Sequence, residues 1–137
     1  TLHPEEFTFA TGSPDNIKEW KCPEGSFIHN FYPPQNSIIN TLAANQDGVM
    51  FAGGDNGSMG FFDWKTGHKF QEMDTIAGPG SLEAENGIFA SAFDKTGMRL
   101  ITCEADKSIK IWREDPKATK ESNPGIPWRP VANRSGF

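Results

Sequence analysis

Three stretches of this chain repeat one pattern, and that repeat limits the fold more than any other feature. They are Phe7–Trp20, Val49–Asp63 and Leu100–Trp112. Each has an apolar strand, a turn of small residues carrying Asp or Asn, and a second strand ending in an aromatic. The closing aromatics are Trp20, Phe62 and Trp112, spaced 42 and 50 positions apart. Repeats of ~40–45 residues mark units that cannot bury their apolar face alone and must stack on neighbours. The excess in the second spacing fits an inserted loop between Asp74 and Asn86.

The flanking segments complete the unit. A strand at 38–44, the turn Asn45–Gly48 and a strand from Val49 read as a hairpin, as do 88–93, Asp94–Gly97 and the strand from Met98. The middle repeat therefore has four strands, at 38–44, 49–53, 58–64 and 69–73. The first has strands at 7–11, 16–21 and 27–31, with its opening strand absent or reduced to Thr1-Leu2. The last has strands at 88–93, 98–103 and 107–113 and no fourth, because Asp115-Pro116 breaks the pattern. The reading is an all-β chain: about three blades of a WD-repeat β-propeller, at about 1–31, 38–73 and 88–113, within a propeller portion 1–115. A closed propeller needs roughly 4–8 blades. We therefore expect a C-terminal portion of a longer protein, an expectation that Thr1 in place of an initiator Met supports. Residues 116–137 hold four prolines and no period, and read as an extended basic tail.

Composition narrows the function classes. Residues 1–116 carry net charge −8 and residues 117–137 carry +3. An acidic body argues against broad contact with nucleic-acid phosphates, while the tail could still reach an acidic surface. No run of 18 apolar residues reads as a membrane span, and no signal peptide is visible. Cys22 and Cys103 could pair in a secreted domain, but two isolated reduced thiols are the favoured reading. With His3, His29 and His68 they give no zinc-ligand spacing.

Trp20, Phe62 and Trp112 are expected to pack between neighbouring blades. Asp15, Asn56 and Asp106, in the turn before each closing strand, are expected to hold backbone N–H groups. No Gly-His pair precedes the first strand of a repeat, so the side-chain network usual in WD repeats is expected to be partial. The run Gly53–Gly60 resembles a phosphate loop but lacks the Lys-Ser/Thr and the helix that should follow. It also lacks the acidic spacing of a calcium loop. Asp74, Glu83 and Glu85 could form an acid–base pair, yet a solvated acidic loop explains them better. No Gly-x-Ser-x-Gly elbow exists. No catalytic residue, cofactor or metal site is assigned. On the tail, Trp128, Arg129, Arg134 and Phe137 combine rings with cations and are the candidates for partner contact.

Specific motifs then point to a family. Ser13–Trp20, Asn40–Gly48, Asp55–Met59 with Asp63-Trp64, Pro79–Leu82, Gly87–Ala90 and Glu104–Lys110 resemble the pleiotropic-regulator family of spliceosomal WD-repeat proteins. So do Arg113–Asp115, Ala118-Thr119 and the Pro-rich, basic end at Phe137. The resemblance spans essentially the whole chain, in order. It implies the last blades of a seven-bladed ring in a nuclear, non-enzymatic scaffold of the spliceosome, accompanying the Nineteen complex. The partners it implies are splicing proteins, including a Myb-like cell-division-cycle protein of the same assembly. Peripheral snRNA or pre-mRNA contact through the tail is the alternative reading. Plant relatives are also linked to cullin-type ubiquitin ligases through a motif ending Trp-Asp-x-Arg. Here Trp112 is followed by Arg113-Glu114, a departure from that motif.

Overall fold

The computed structural model describes residues 1–82, 85–119, 121–122 and 124–127. Ten strands follow one another: β1 (Thr8–Gly12), β2 (Ile17–Lys21), β3 (Ser26–Phe31), β4 (Ile39–Ala44), β5 (Val49–Gly54), β6 (Ser58–Asp63), β7 (Lys69–Asp74), β8 (Ile88–Phe93), β9 (Arg99–Glu104) and β10 (Ile109–Arg113). Among the described residues there is no helix. The strands fall within a residue or two of the positions the repeat predicts.

Consecutive strands pair antiparallel and make three sheets, β1-β2-β3, β4-β5-β6-β7 and β8-β9-β10. These are three successive WD-type blades. Leu2 bridges to Phe9 at the free side of β1, so the first blade has the beginning of its opening strand. The first strand of the middle blade, β4, lies beside β8, and β1 lies beside β4.

Register shows that the repeat is structural as well as textual. Trp20 pairs with Phe9, Phe62 with Met50, and Trp112 with Leu100. Because side chains alternate across a strand, equal register puts the three aromatics on the same face of their blades. The two seams between blades follow from that alternation. At the first, Ala10, Ile17 and Phe31 meet Met50, Ala52, Phe62 and Trp64. At the second, Phe51 and Met59 meet Ile88 and Leu100, with Phe61, Met73, Phe93 and Trp112 partly buried around them. The middle strands β5 and β6 are apolar on both faces because both faces are covered, whereas β10 alternates exposed and half-buried residues.

Close approach at the seams needs small residues. A Cβ on Gly12 would lie 2.9 Å from Ile39 Cγ2, and one on Gly53 would lie 2.8 Å from Ile88 Cγ2. In each case an isoleucine at the start of the next blade fills the space a side chain would take.

The outer edge of the middle blade is capped from two directions. Tyr32 N–H donates to Gly67 O, and Lys69 N–H donates to Tyr32 O, joining the segment after β3 to the start of β7. Further along, Ile126 N–H donates to Phe70 O. The tail, read from sequence as an extended end, thus returns at Ile126 to touch the middle blade.

Candidate functional site

Polar side chains at the blade ends tie the three sheets into one unit with fixed turns. In the β5–β6 turn, Asn56 Oδ1 accepts the Ser58 amide at 3.0 Å. In the β9–β10 turn, Asp106 Oδ1 accepts the Ser108 amide at 3.0 Å and also the Ser108 hydroxyl. The Asp106 carboxylate does a second job, since its Oδ2 accepts the Gly78 amide at 2.7 Å. These hydrogen bonds hold its pKa below the ordinary carboxylate value, the Ser108 hydroxyl contributing most. Asp15 sits differently. It is exposed, and its turn is closed by Ser13 and Asn16, with Ser13 N–H donating to Asn16 O at 2.9 Å. The β1–β2 loop is one residue shorter than the other two, so Asp15 follows Gly12 by three residues, as Asn56 follows Gly53 and Asp106 follows Cys103, but lies two rather than three residues before its closing-strand partner.

The connector after β7 is pinned to the last blade. Lys110 Nζ donates to Thr75 Oγ1 and to Ile76 O, both at 2.6 Å, and lies 2.9 Å from the buried Glu104 carboxylate. The loop that the repeat spacing flagged at 74–86 is therefore held at its start by Lys110 and Asp106. It presents Ile76 and Leu82 to solvent, 81% and 71% exposed. Asp74 and Glu85 lie at either end of this connector, and Glu83 lies outside the described residues. The Gly53–Gly60 run is the tip of the β5–β6 hairpin, with no phosphate-binding helix after it.

The three aromatics sit in unequal surroundings. Phe62 is fully buried in the first seam. Trp112 is half-buried against the second seam, and its Nε1 donates to Thr102 Oγ1 at 3.0 Å. Trp20 is half-buried on the face of the first blade that points away from the middle one. Its Nε1 donates to Thr11 Oγ1 at 2.8 Å, its ring packs edge-on to Phe27, and Lys18 Nζ lies 6.0 Å from the ring centre. The reason is directional. This face looks toward the N-terminal side of the ring order, and no described blade precedes the first.

One buried group was missed by sequence reasoning. Glu19, on the covered face of β2, lies 2.7 Å from His29 Nε2 on β3. Burial pushes the Glu19 carboxyl up, opposed by hydrogen bonds with Thr8 and Trp64. Burial likewise pushes the His29 imidazolium down, against the pull of Asp63. Trp64 Nε1 donates to Thr8 Oγ1 at 3.0 Å, so this cluster links the first two blades. The only signal in the sequence was a strand, Ile17–Lys21, with charged residues on both faces: Ile17, Glu19 and Lys21 on one, Lys18 and Trp20 on the other.

Cys22 and Cys103 are free thiols on different blades. Among the described residues no group of three His, Cys, Asp or Glu side chains is placed to hold a metal. Trp128, Arg129, Arg134 and Phe137 lie outside the described residues.

Comparison with known proteins agrees with this architecture. The family described as "WD domain, G-beta repeat" matches residues 79–113, the connector and the last blade. The chain is 68% identical over 116 residues to the pre-mRNA-splicing factor PRP46 of Yarrowia lipolytica, covering 85% of this chain and 26% of that protein. It is 56% identical over 137 residues to pleiotropic regulator 1 of Homo sapiens, covering 99% of this chain and 26% of that protein. It is 54% identical over 123 residues to the pleiotropic regulator PRL2 of Arabidopsis thaliana, covering 90% of this chain and 26% of that protein. The chain thus spans about a quarter of the length of these curated relatives. Three stacked antiparallel blades and identity of this level across fungi, animals and plants lead to one conclusion: the chain belongs to the pleiotropic-regulator family of WD-repeat proteins.

Proposed function

We propose that this chain is part of a non-catalytic nuclear scaffold that acts in pre-mRNA splicing by holding neighbouring proteins in place. The observation that carries this reading is its 68% identity to a protein named as a pre-mRNA-splicing factor. The architecture suits the role. Rigid blades with turns fixed by their own side chains present loops to partners with little refolding, which keeps the ordering cost of binding low. The exposed Ile76 and Leu82 on the pinned connector are of the kind that anchors an interface.

In this reading the partners are spliceosomal proteins that accompany the Nineteen complex, including a Myb-like cell-division-cycle protein, and the three blades belong to a seven-bladed ring. Trp128, Arg129, Arg134 and Phe137 supply tail contacts to such partners. The test is purification of the tagged full-length protein from nuclear extract, followed by identification of what accompanies it over a salt series. Splicing proteins retained at high salt, with splicing lost on depletion and restored on add-back, are the expected result. Recovery with no splicing component would overturn the proposal. Binding to RNA alone that collapses steeply with salt and with Arg129→Glu plus Arg134→Glu would favour the RNA-contacting reading instead.

A further inference from the structure

The outer edge of β7 is a strand edge that needs a cover, since unpaired N–H and C=O groups on an edge invite another chain. Tyr32 covers its beginning. Just beyond, three observations meet on the segment Pro124–Pro127. Ile126 N–H donates to Phe70 O at 2.9 Å. His68 Nε2 lies 2.8 Å from Ile126 O. Gly125 has φ +69°, and a Cβ there would lie 2.7 Å from Phe70 O.

We infer that the β7 edge with His68 is a docking site for an extended Pro-Gly-apolar-Pro segment, occupied in cis by this chain's own residues 124–127. Each residue has a reason to be there. The prolines carry no N–H, so the segment brings only two backbone donors, Gly125 and Ile126, and Ile126 is the one paired to the edge. Glycine at 125 permits both the left-handed backbone and the close approach to the Phe70 carbonyl. A carbonyl can only accept, so His68 Nε2 must carry the proton. The consequence is positional. The clip fixes Pro127 on the outer rim of the middle blade, beside the Phe70 carbonyl that holds Ile126.

The test is hydrogen exchange on the intact chain, read at the Ile126 amide. Pro124 and Pro127 have no amide, so the signal of the segment comes from Gly125 and Ile126. Slowing of Ile126 by at least about tenfold over an unstructured peptide is expected, since one closed hydrogen bond of about 1.4 kcal/mol gives that factor. Gly125→Val should abolish the slowing and His68→Ala should reduce it, while the β5 and β6 amides keep their protection and show that the blade is folded. Ile126 exchanging at the unstructured rate, or Gly125→Val leaving its protection unchanged, would overturn the inference. So would protection that grows with protein concentration, because the clip would then be donated by a second copy.

Discussion

The middle blade and the first blade carry the same repeat but occupy different environments. In the middle blade, β5 and β6 are buried on both faces, and Phe62 is sealed in a seam. In the first blade, the register-equivalent Trp20 sits on an open face beside Phe27 and Lys18. The last blade is open on its other side, where Ile109 and Ile111 are exposed. An identical slot in the pattern therefore has no fixed energetic value. What a repeat residue contributes depends on whether a neighbour covers it, as the nearest-neighbour energetics of stacked repeats require.

Substitutions can break this comparison. Phe62→Ala removes a fully buried ring and should cost about 3–5 kcal/mol of unfolding free energy, with a cavity left behind. Trp20→Ala should cost about 1 kcal/mol in the chain as described, since its ring is only half covered. Chemical denaturation of both variants checks this, and equal losses would mean that the Trp20 face is sealed as tightly as the first seam.

The next test concerns the last blade. Lys110→Met leaves the buried Glu104 carboxylate without its cation and frees the connector at Thr75 and Ile76. Because Lys110 is partly exposed, a loss of about 2–3 kcal/mol is expected, below the cost for a fully buried pair. Proteolysis within the 75–86 connector should speed up in the same variant.

A finer comparison uses one hydrogen bond in two settings. Trp112→Phe removes the donor to Thr102, a residue with no exposed surface, and should cost about 1–2 kcal/mol. Trp20→Phe removes the matching donor to the exposed Thr11, which water can replace, so a change under about 0.5 kcal/mol is expected. Denaturation midpoints that fall equally would contradict the distinction between covered and open faces.

The smallest effect is in pH. His29 is held below its ordinary value of 6.5, so on acidification the unfolded chain takes up this proton first and stability falls below pH 6.5. Glu19 is held above its ordinary 4.5, so the folded chain keeps that proton more firmly. Its contribution therefore improves as pH falls through the raised value. The two trends oppose. His29→Gln should lose less stability on acidification from pH 6.5 than the parent chain, and Glu19→Gln should lose more. Thermal melting across that range reads both signs.

Much of the fold was legible because strand, turn and aromatic recur at fixed offsets, and register preserves those offsets. The turn acceptors Asn56 and Asp106 were visible for the same reason. Asp15 was named with them, but in a loop shorter by one residue the turn's hydrogen bonds run between Ser13 and Asn16 instead, and a linear alignment hides the deletion. Glu19 was hidden by a strand whose charges lie on both faces, so alternation gave no buried side. Lys110 gave no signal in the sequence, because its partners at Thr75 and Ile76 are 35 and 34 positions away. The contact at Ile126 could not be seen either. Pro-Gly-Ile-Pro has no period, and its meaning comes from a sheet edge that only the folded chain provides.

The glycine–isoleucine contacts at the two seams act as a gauge block. Gly12 against Ile39 and Gly53 against Ile88 set the same clearance twice, so the first sheet hands its spacing to the second and the second to the third. In register, the third slot belongs to Cys103, which pairs with Ile109 as Gly53 pairs with Met59 and Gly12 with Ile17. A thiol there ends the sequence of matched clearances. Whatever abuts the last sheet must sit farther out or be carved to admit sulfur. The alkylation rate of Cys103 in the intact protein thereby becomes a direct meter of how tightly that flank is closed.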